Sequence, residues 1–365
     1  MTWLAGAILA PDALAQAASA SSPVTHHPSP ITHFAPVVPG YQLQFPRDAG
    51  SHPEFRIEWW YVTGWLQTAD GQPLGFQVTF FRGRPRLDYD NPSTFTPRQV
   101  VVAHAALSDR RQGRLIHAQR AARAVFDLAG AASGDTRVWI DDWTLERREA
   151  GYRAAIADSA LELELSLVAS QPPLLQGTRG VSRKGPAPES ASYYYSEPHL
   201  KVSGTASHSR IRTAVTGNAW LDHEWSSSYL PEQAAGWDWV GINLADGGAL
   251  MAFRMRDRRS GAFWAGATHR RTDGKVETHG PTDVLFVPRR EWRSPRTGTA
   301  YPVSWMVRAG ALEITIEPLM DDQEHDTRSS TGAIYWEGAV RAYRGGVEVG
   351  RGYLELTGYW RPLSL

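Results

Sequence analysis

The chain has 365 residues, long enough for two domains of ordinary size, each with its own core. Its 38 basic and 38 acidic residues cancel, and the basic ones are scattered rather than striped, which argues against nucleic acid or an anionic membrane as partner. Cysteine is absent, which removes disulfides, thiol catalysis and thiolate metal sites.

At the N-terminus a short apolar run, 3–10, precedes Ala13-Leu14-Ala15 and Ala15-Gln16-Ala17, both small-residue cleavage patterns. Residues 1–17 are therefore expected to be a signal peptide, although no Lys or Arg precedes Arg47. Residues 18–40, rich in Ser, Pro and His, read as a flexible leader, and the mature protein as periplasmic or secreted. No other stretch approaches bilayer-spanning length.

From residue 57 onward short strands alternate with turns. The segments 57–66, 74–82 and 99–107 are rich in β-branched and aromatic residues. Ala69-Asp70-Gly71-Gln72 joins the first two as a hairpin. Segment 161–168 alternates Leu with Glu or Ser, the mark of a half-buried antiparallel strand. Segment 171–192 reads as a long irregular loop. Further strands are expected at 237–244 and 249–256, around the hairpin Ala245-Asp246-Gly247-Gly248, and at 312–317, 334–343 and 352–360. About eight strands fall on each side of a junction at 226–236. Eight antiparallel strands can close around one small ligand and leave no free edge. The predicted fold class is all-β: two lipocalin-like antiparallel barrels, at 41–228 and 229–365, enclosing a ligand site. A two-sheet sandwich is the rival architecture.

The chain holds 15 Trp, and seven lie within 59–65 and 220–239, which points to a lined cavity or a heavy core. Strand alternation places Trp59, Tyr61 and Trp65 on one face, and Glu58 and Trp60 on the other. Glu58 reads as a buried acid or as the partner of an Arg. His104 shares a face with Val100 and Val102, as a hydrogen-bonded core residue or a ligand contact. In Tyr193-Tyr194-Tyr195 the middle ring faces opposite to its neighbours. The densest stretch is Trp220-Leu221-Asp222-His223-Glu224-Trp225. Here Asp222 and Glu224 share one face, while His223 lies opposite with Leu221 and Trp225. Carboxyls held among indoles have raised pKa values, which suits a general acid.

Other site motifs are missing. Without Gly-x-Ser-x-Gly a lipase-type serine hydrolase has no nucleophile elbow. There is no His-Glu-x-x-His and no Gly-rich phosphate fingerprint, and 12 scattered His make a weak metal case. No metal and no cofactor are expected.

An ordered series of motifs covers nearly everything after residue 45: Phe45-Pro46-Arg47-Asp48, 58–64, Ala103-His104-Ala105, Gln176-Gly177, Ser182-Arg183-Lys184-Gly185, 194–200, 219–225 and Gly236-Trp237-Asp238-Trp239. The series resembles the carotenoid 1,2-hydratase and AttH-like proteins, a lipocalin-like family also described as secreted hydrolases. The resemblance implies two lipocalin-like domains and an apolar, isoprenoid- or lipid-like ligand. Hydratase members add water across a terminal carbon–carbon double bond, which needs an acid, aromatic faces for the cation, and water. They use a His-x-Trp pair, then a Tyr-x-Asp pair on a following strand. His223-Glu224-Trp225 matches the first, whereas 249–254 contains neither Tyr nor Asp.

Two functions follow as expectations. In a cofactor-independent hydratase or isomerase, the catalytic candidates are Asp222, Glu224 and Glu58, with His223 orienting water or acid. The ligand-contact candidates are Trp59, Trp60, Tyr61, His104, Tyr194, Tyr195, Trp220, Trp225, Trp237 and Trp239. In a periplasmic lipid carrier, the same aromatics give affinity and an export system is the partner.

Overall fold

The computed structural model describes residues 34–363 except 86–92, 94, 95, 97, 150, 210 and 260. The expected signal peptide and most of the expected leader lie outside the described residues. Residues 34–40 are held against the first sheet rather than free. Val37 packs into its core, and the Val38 amide donates to the Tyr193 hydroxyl at 2.9 Å.

Among the described residues the only helical turn is Arg47–Ala49, and the remaining elements are strands. The first sheet contains β1 (Ile57–Thr68), β2 (Pro73–Gly83), β3 (Val100–Ser108), β4 (Ile116–Arg123), β5 (Ala129–Ala131), β6 (Arg137–Ile140) and β7 (Trp143–Arg148). It continues with β8 (Gly151–Ala157), β9 (Leu161–Val168), β10 (Leu174–Leu175), β11 (Val181–Arg183), β12 (Ala191–His208) and β13 (Ile211–Ser226). The second contains β14 (Ala234–Leu244), β15 (Ala249–Asp257), β16 (Ala262–Arg270), β17 (Val276–His279) and β18 (Val284–Arg293). It ends with β19 (Ala300–Ala309), β20 (Leu312–Pro318), β21 (Glu324–Thr327), β22 (Ala333–Arg344) and β23 (Val347–Leu356).

The hydrogen-bonded orders are β4-β3-β2-β1-β13-β12-β9-β8-β7-β6-β5, and β17-β16-β15-β14-β23-β22-β20-β19-β18. Neighbours within both paths are antiparallel, as alternating patterns and short turns dictate. This is the expected all-β, lipocalin-like architecture. The strands number 13 and 10 rather than about eight in each half, because pieces of two or three residues carry no readable period. Two of them, β10 and β11, give the expected loop at 171–192 a fixed path along β12. The strand expected at 352–360 instead spans Val347–Leu356, ending before a turn at Gly358 with φ 72°.

Period 2 decides what each face does. In β9 the leucines at 161, 163, 165 and 167 are buried in the first core, while Glu162, Ser166 and Val168 are exposed. That core also takes Trp60, Phe76, Val78, Phe80, Leu221 and Trp225, so the first barrel is filled by side chains. The second has its own core around Tyr301, Trp305, Ile316, Trp336 and Leu354. A third cluster joins the outer faces of the two sheets, through Tyr61, Trp65, Tyr194 and Trp220 on one side and Trp239, Met251, Ala339 and Tyr353 on the other. The sheets approach closely at Gly75, where a Cβ would come within 2.5 Å of the Ala339 Cβ. The expected site inside a barrel is thereby corrected: the principal aromatic cavity lies between the barrels, because large side chains occupy the first interior.

Candidate active site between the barrels

The cavity, of about 370 Å³, is walled by β1, β2, β3, β12 and β13 on one side. Strands β14, β22 and β23, with residues 360–363, wall the other. Register sets which side chains reach it. Tyr61 lies opposite Asp222, and Trp59 opposite Glu224, across the β1–β13 ladder. Tyr194 lies opposite Glu224 across β12–β13. On the facing wall Glu337 lies opposite Glu355 across β22–β23. Aromatic rings fill the spaces between these acids. Trp239 meets Tyr61 edge-on at 5.3 Å, and Tyr229, from the segment joining the barrels, meets Trp59 at 4.9 Å and Trp237 at 5.5 Å.

Asp222 is 3% exposed and receives hydrogen bonds from the Tyr194 hydroxyl at 2.6 Å, the Ser196 hydroxyl at 2.5 Å and the Trp220 indole at 2.6 Å. The Trp239 indole donates in turn to the Tyr194 oxygen at 3.0 Å. Loss of water raises the Asp222 pKa to about 7, against the opposing pull of these donors. It can hold or release a proton near neutrality while its orientation stays fixed.

Glu224 differs because it has a cation. Lys184 lies 2.8 Å away, buried, with its Nζ 4.3 Å from the Phe253 ring centre. Ser192 also donates to Glu224. Burial raises the Glu224 pKa and lowers that of Lys184, while their mutual attraction works against both shifts. Glu355 accepts from the Trp237 indole at 2.8 Å, and burial followed by neighbouring carboxyls raises its pKa to about 7. Glu337 is raised well above the ordinary range, by burial first and by Glu355 second.

The opposite face of β13 tells another story. His223, Trp225 and Tyr195 point into the first barrel's core side, as does Trp60 from β1. There Glu58 binds the Arg82 Nε at 2.8 Å, His52 Nδ1 at 2.7 Å and His223 Nε2 at 2.9 Å. His52 stacks on Trp225 at 3.8 Å, and His223 on Trp60 at 4.6 Å. Burial alone would raise the Glu58 pKa, but hydrogen bonds from both imidazoles and the Arg82 charge hold it well below the carboxylate range. His223 is drawn down to about 4 by burial. Glu58 touches the cavity wall but is a committed anion and cannot serve as the acid. His223 sits on the wrong face to orient a molecule beside Asp222. Both expected catalytic roles are corrected on these grounds. Trp60, Tyr195 and Trp225 likewise belong to the core side rather than the cavity wall.

His52, Glu58 and His223 offer ligand atoms within 4.8 Å of one another. Each imidazole already directs a nitrogen at Glu58 Oε1, and Arg82 occupies the other oxygen. The trio therefore reads as an ion-pair cluster rather than a metal centre.

Of the remaining candidates, Trp59, Tyr61, His104, Tyr194, Trp237, Trp239, Asp222 and Glu224 line the cavity. His104 is paired on both nitrogens, with Tyr335 and Ser330 at 3.0 Å each, and burial pulls it down to about 3. Trp220 supports Asp222 and borders a larger groove of about 860 Å³ that none of these acids lines. Sequence reasoning missed Lys184, Tyr229, Tyr335, Glu337 and Glu355. A signal existed for the last three. Tyr335-Trp336-Glu337 and Tyr353-Leu354-Glu355 both place a phenol and a carboxyl on one strand face at i, i+2.

A family model described as AttH-like matches residues 36–359. The chain belongs to the AttH-like family. The crystal structure of a protein assigned as AttH from Nitrosomonas europaea is 54% identical, with a TM-score of 0.84, covering 89% of this chain and 99% of that one. Kievitone hydratase from Nectria haematococca shares the fold at 13% identity and a TM-score of 0.65, covering 90% of this chain and 97% of its own. CghA, solved with Sch210972, aligns at 12% identity and a TM-score of 0.50, covering 83% and 89%. No curated protein matches this AttH-like chain in sequence.

Proposed function

We propose that this AttH-like protein binds a largely apolar, unsaturated molecule between its barrels and adds water across a carbon–carbon double bond. The observation that carries the reading is Asp222: a buried carboxyl with its pKa raised to about 7, held by three donors in an aromatic wall. Protonation of an alkene needs an acid that is neutral yet willing to ionise near pH 7. In the proposed step the Asp222 proton bonds to one alkene carbon as the π bond breaks. The cation on the other carbon lies among Trp59, Tyr61 and Trp239, whose faces favour positive charge. Water oxygen bonds to that carbon, and its surplus proton returns to the Asp222 carboxylate. No cofactor enters the balance.

The kinship of fold with a hydratase agrees with this chemistry, and fold alone does not choose it. The test supplies terminal alkenes of isoprenoid type to the purified protein and looks for a product heavier by one water. Wild type is expected to form it. Asp222→Asn is expected to retain binding, seen as Trp quenching, and to lose turnover. Binding by wild type with no change of mass, across alkene-bearing ligands, leaves the protein a carrier.

A further inference from the structure

The facing wall of the same cavity holds a feature that hydration does not use. Glu337 and Glu355 lie opposite each other on adjacent strands, 2% exposed in the case of Glu337. Among the described residues neither makes an ion pair with Lys, Arg or His, in contrast with Glu58, Glu224 and Asp238. Both Glu337 oxygens are buried without a hydrogen-bond partner, although the Tyr61 and Tyr335 hydroxyls are near enough to favour its anion. The Tyr61 hydroxyl and the Gln77 Oε1, which line the cavity from β1 and β2 across from them, are also buried and unpartnered. Leaving a buried polar group unpaired is costly, and three such groups converge on one end of one cavity. Aromatic rings of Tyr61, Tyr335, Trp237 and Trp239 stand around them.

We propose that the Glu337–Glu355 end of the cavity is a subsite for an organic cation, an ammonium group carried by the otherwise apolar ligand. The proposal rests on the reading that the inter-barrel cavity is the ligand site, and adds the charge of the ligand. An aromatic enclosure favours positive charge on its rings' faces. Two opposed carboxyls without a protein cation hold at least one proton between them when empty-handed of charge, since like charges side by side cannot both ionise cheaply. An arriving cation supplies the missing counter-charge and displaces that proton.

The groups facing the pair set the sign of the pH dependence. Glu337 is faced by Glu355, Tyr61, Tyr335 and Tyr353, and Glu355 by Trp237, Tyr229, Asp222, Glu224 and Asp238. Glu224 and Asp238 carry their own cations, Lys184 for the first and Arg254 with Arg256 for the second. The uncompensated charge beside the pair is therefore acidic, protons are retained in the free protein, and cation affinity rises with pH as Glu355, raised to about 7, gives up its proton.

The test compares phenyltrimethylammonium with its neutral isostere tert-butylbenzene, by calorimetry and Trp fluorescence on the full chain, from about pH 5 to about pH 8. The cation is expected to bind at least about tenfold more tightly than the isostere at the upper pH. It should also release protons, read from heats in two buffers of different ionisation enthalpy, which requires no variant. In Glu337→Gln/Glu355→Gln both the preference and the proton release should vanish while tert-butylbenzene binding is kept. Equal binding of the two probes, or a preference that survives in the double variant, overturns the cation subsite and leaves the cavity as a ligand site. If neither probe binds and neither alters the Trp signal, both readings fall.

Discussion

Two sets of buried carboxyls lie back to back across β1 and β13, separated by one strand thickness. On the barrel side Glu58 meets Arg82, His52 and His223, and its pKa falls. On the cavity side Asp222 meets only neutral donors, and its pKa rises to about 7. Burial is nearly the same for both, at 1% and 3% exposure. Hydrogen bonds of good length are present in both. The difference is the supply of cations, and it leaves one acid a structural anion and lets the other hold a proton near neutrality.

The largest expected effect tests the barrel side. Arg82→Met leaves Glu58 buried with its main cation gone, and stability should fall by about 3–5 kcal/mol in denaturant melts. A loss below 1 kcal/mol would show that the two imidazoles alone compensate Glu58. On the cavity side, Trp239→Ala removes a wall and the indole donor to Tyr194. Ligand affinity should drop by about 2 kcal/mol or more, with Glu58 and its partners undisturbed.

A subtler contrast is the sign of the pH dependence. The Asp222 pKa is raised, so between its ordinary 3.8 and about 7 the folded state binds the extra proton. Its contribution to stability is present at the low end of that window and lost as pH rises through it. The Glu58 pKa is lowered, so its contribution is present above the ordinary 4.5 and lost on acidification below it. Asp222→Asn should therefore flatten the decline in stability between pH 3.8 and about 7. Glu58→Gln should remove part of the loss at lower pH. The smallest expected effect belongs to Arg153→Ala, which breaks a half-exposed pair with Glu164. Such a pair is worth about 0–1 kcal/mol, and the change should leave both pH responses as they are.

Much of this contrast was legible in period 2. The sequence places Asp222 and Glu224 on one face and His223 with Leu221 and Trp225 on the other, and β13 is built that way. The same reasoning separates Trp59 and Tyr61 from Glu58 and Trp60, and Tyr194 from its neighbours. What period 2 cannot supply is which face looks into a barrel and which looks across to a second sheet. That depends on packing between elements more than a hundred residues apart, such as Trp65 donating to the Gly352 carbonyl at 3.0 Å. Glu58 could be read as acid or ion-pair partner, and only the approach of Arg82 and His52 decides for the second. Glu337 and Glu355 stayed hidden because each looks like a lone strand carboxylate until the β22–β23 register sets them face to face. The Tyr-x-Asp spacing sought at 249–254 is absent there, yet Tyr-x-Glu stands at 335–337 and 353–355, and Tyr335, Glu337 and Glu355 of these lie on the cavity wall.

The central claim is that Asp222 is a protonatable acid near neutrality while Glu58, one strand face away, is not. Carboxyl carbon NMR on protein labelled at Asp and Glu, with Asp222→Asn and Glu58→Gln to assign the signals, reads both directly. The expected result is an Asp222 midpoint near 7 and a Glu58 signal that stays ionised to the acid limit of the folded state. An Asp222 midpoint near its ordinary 3.8 would contradict it.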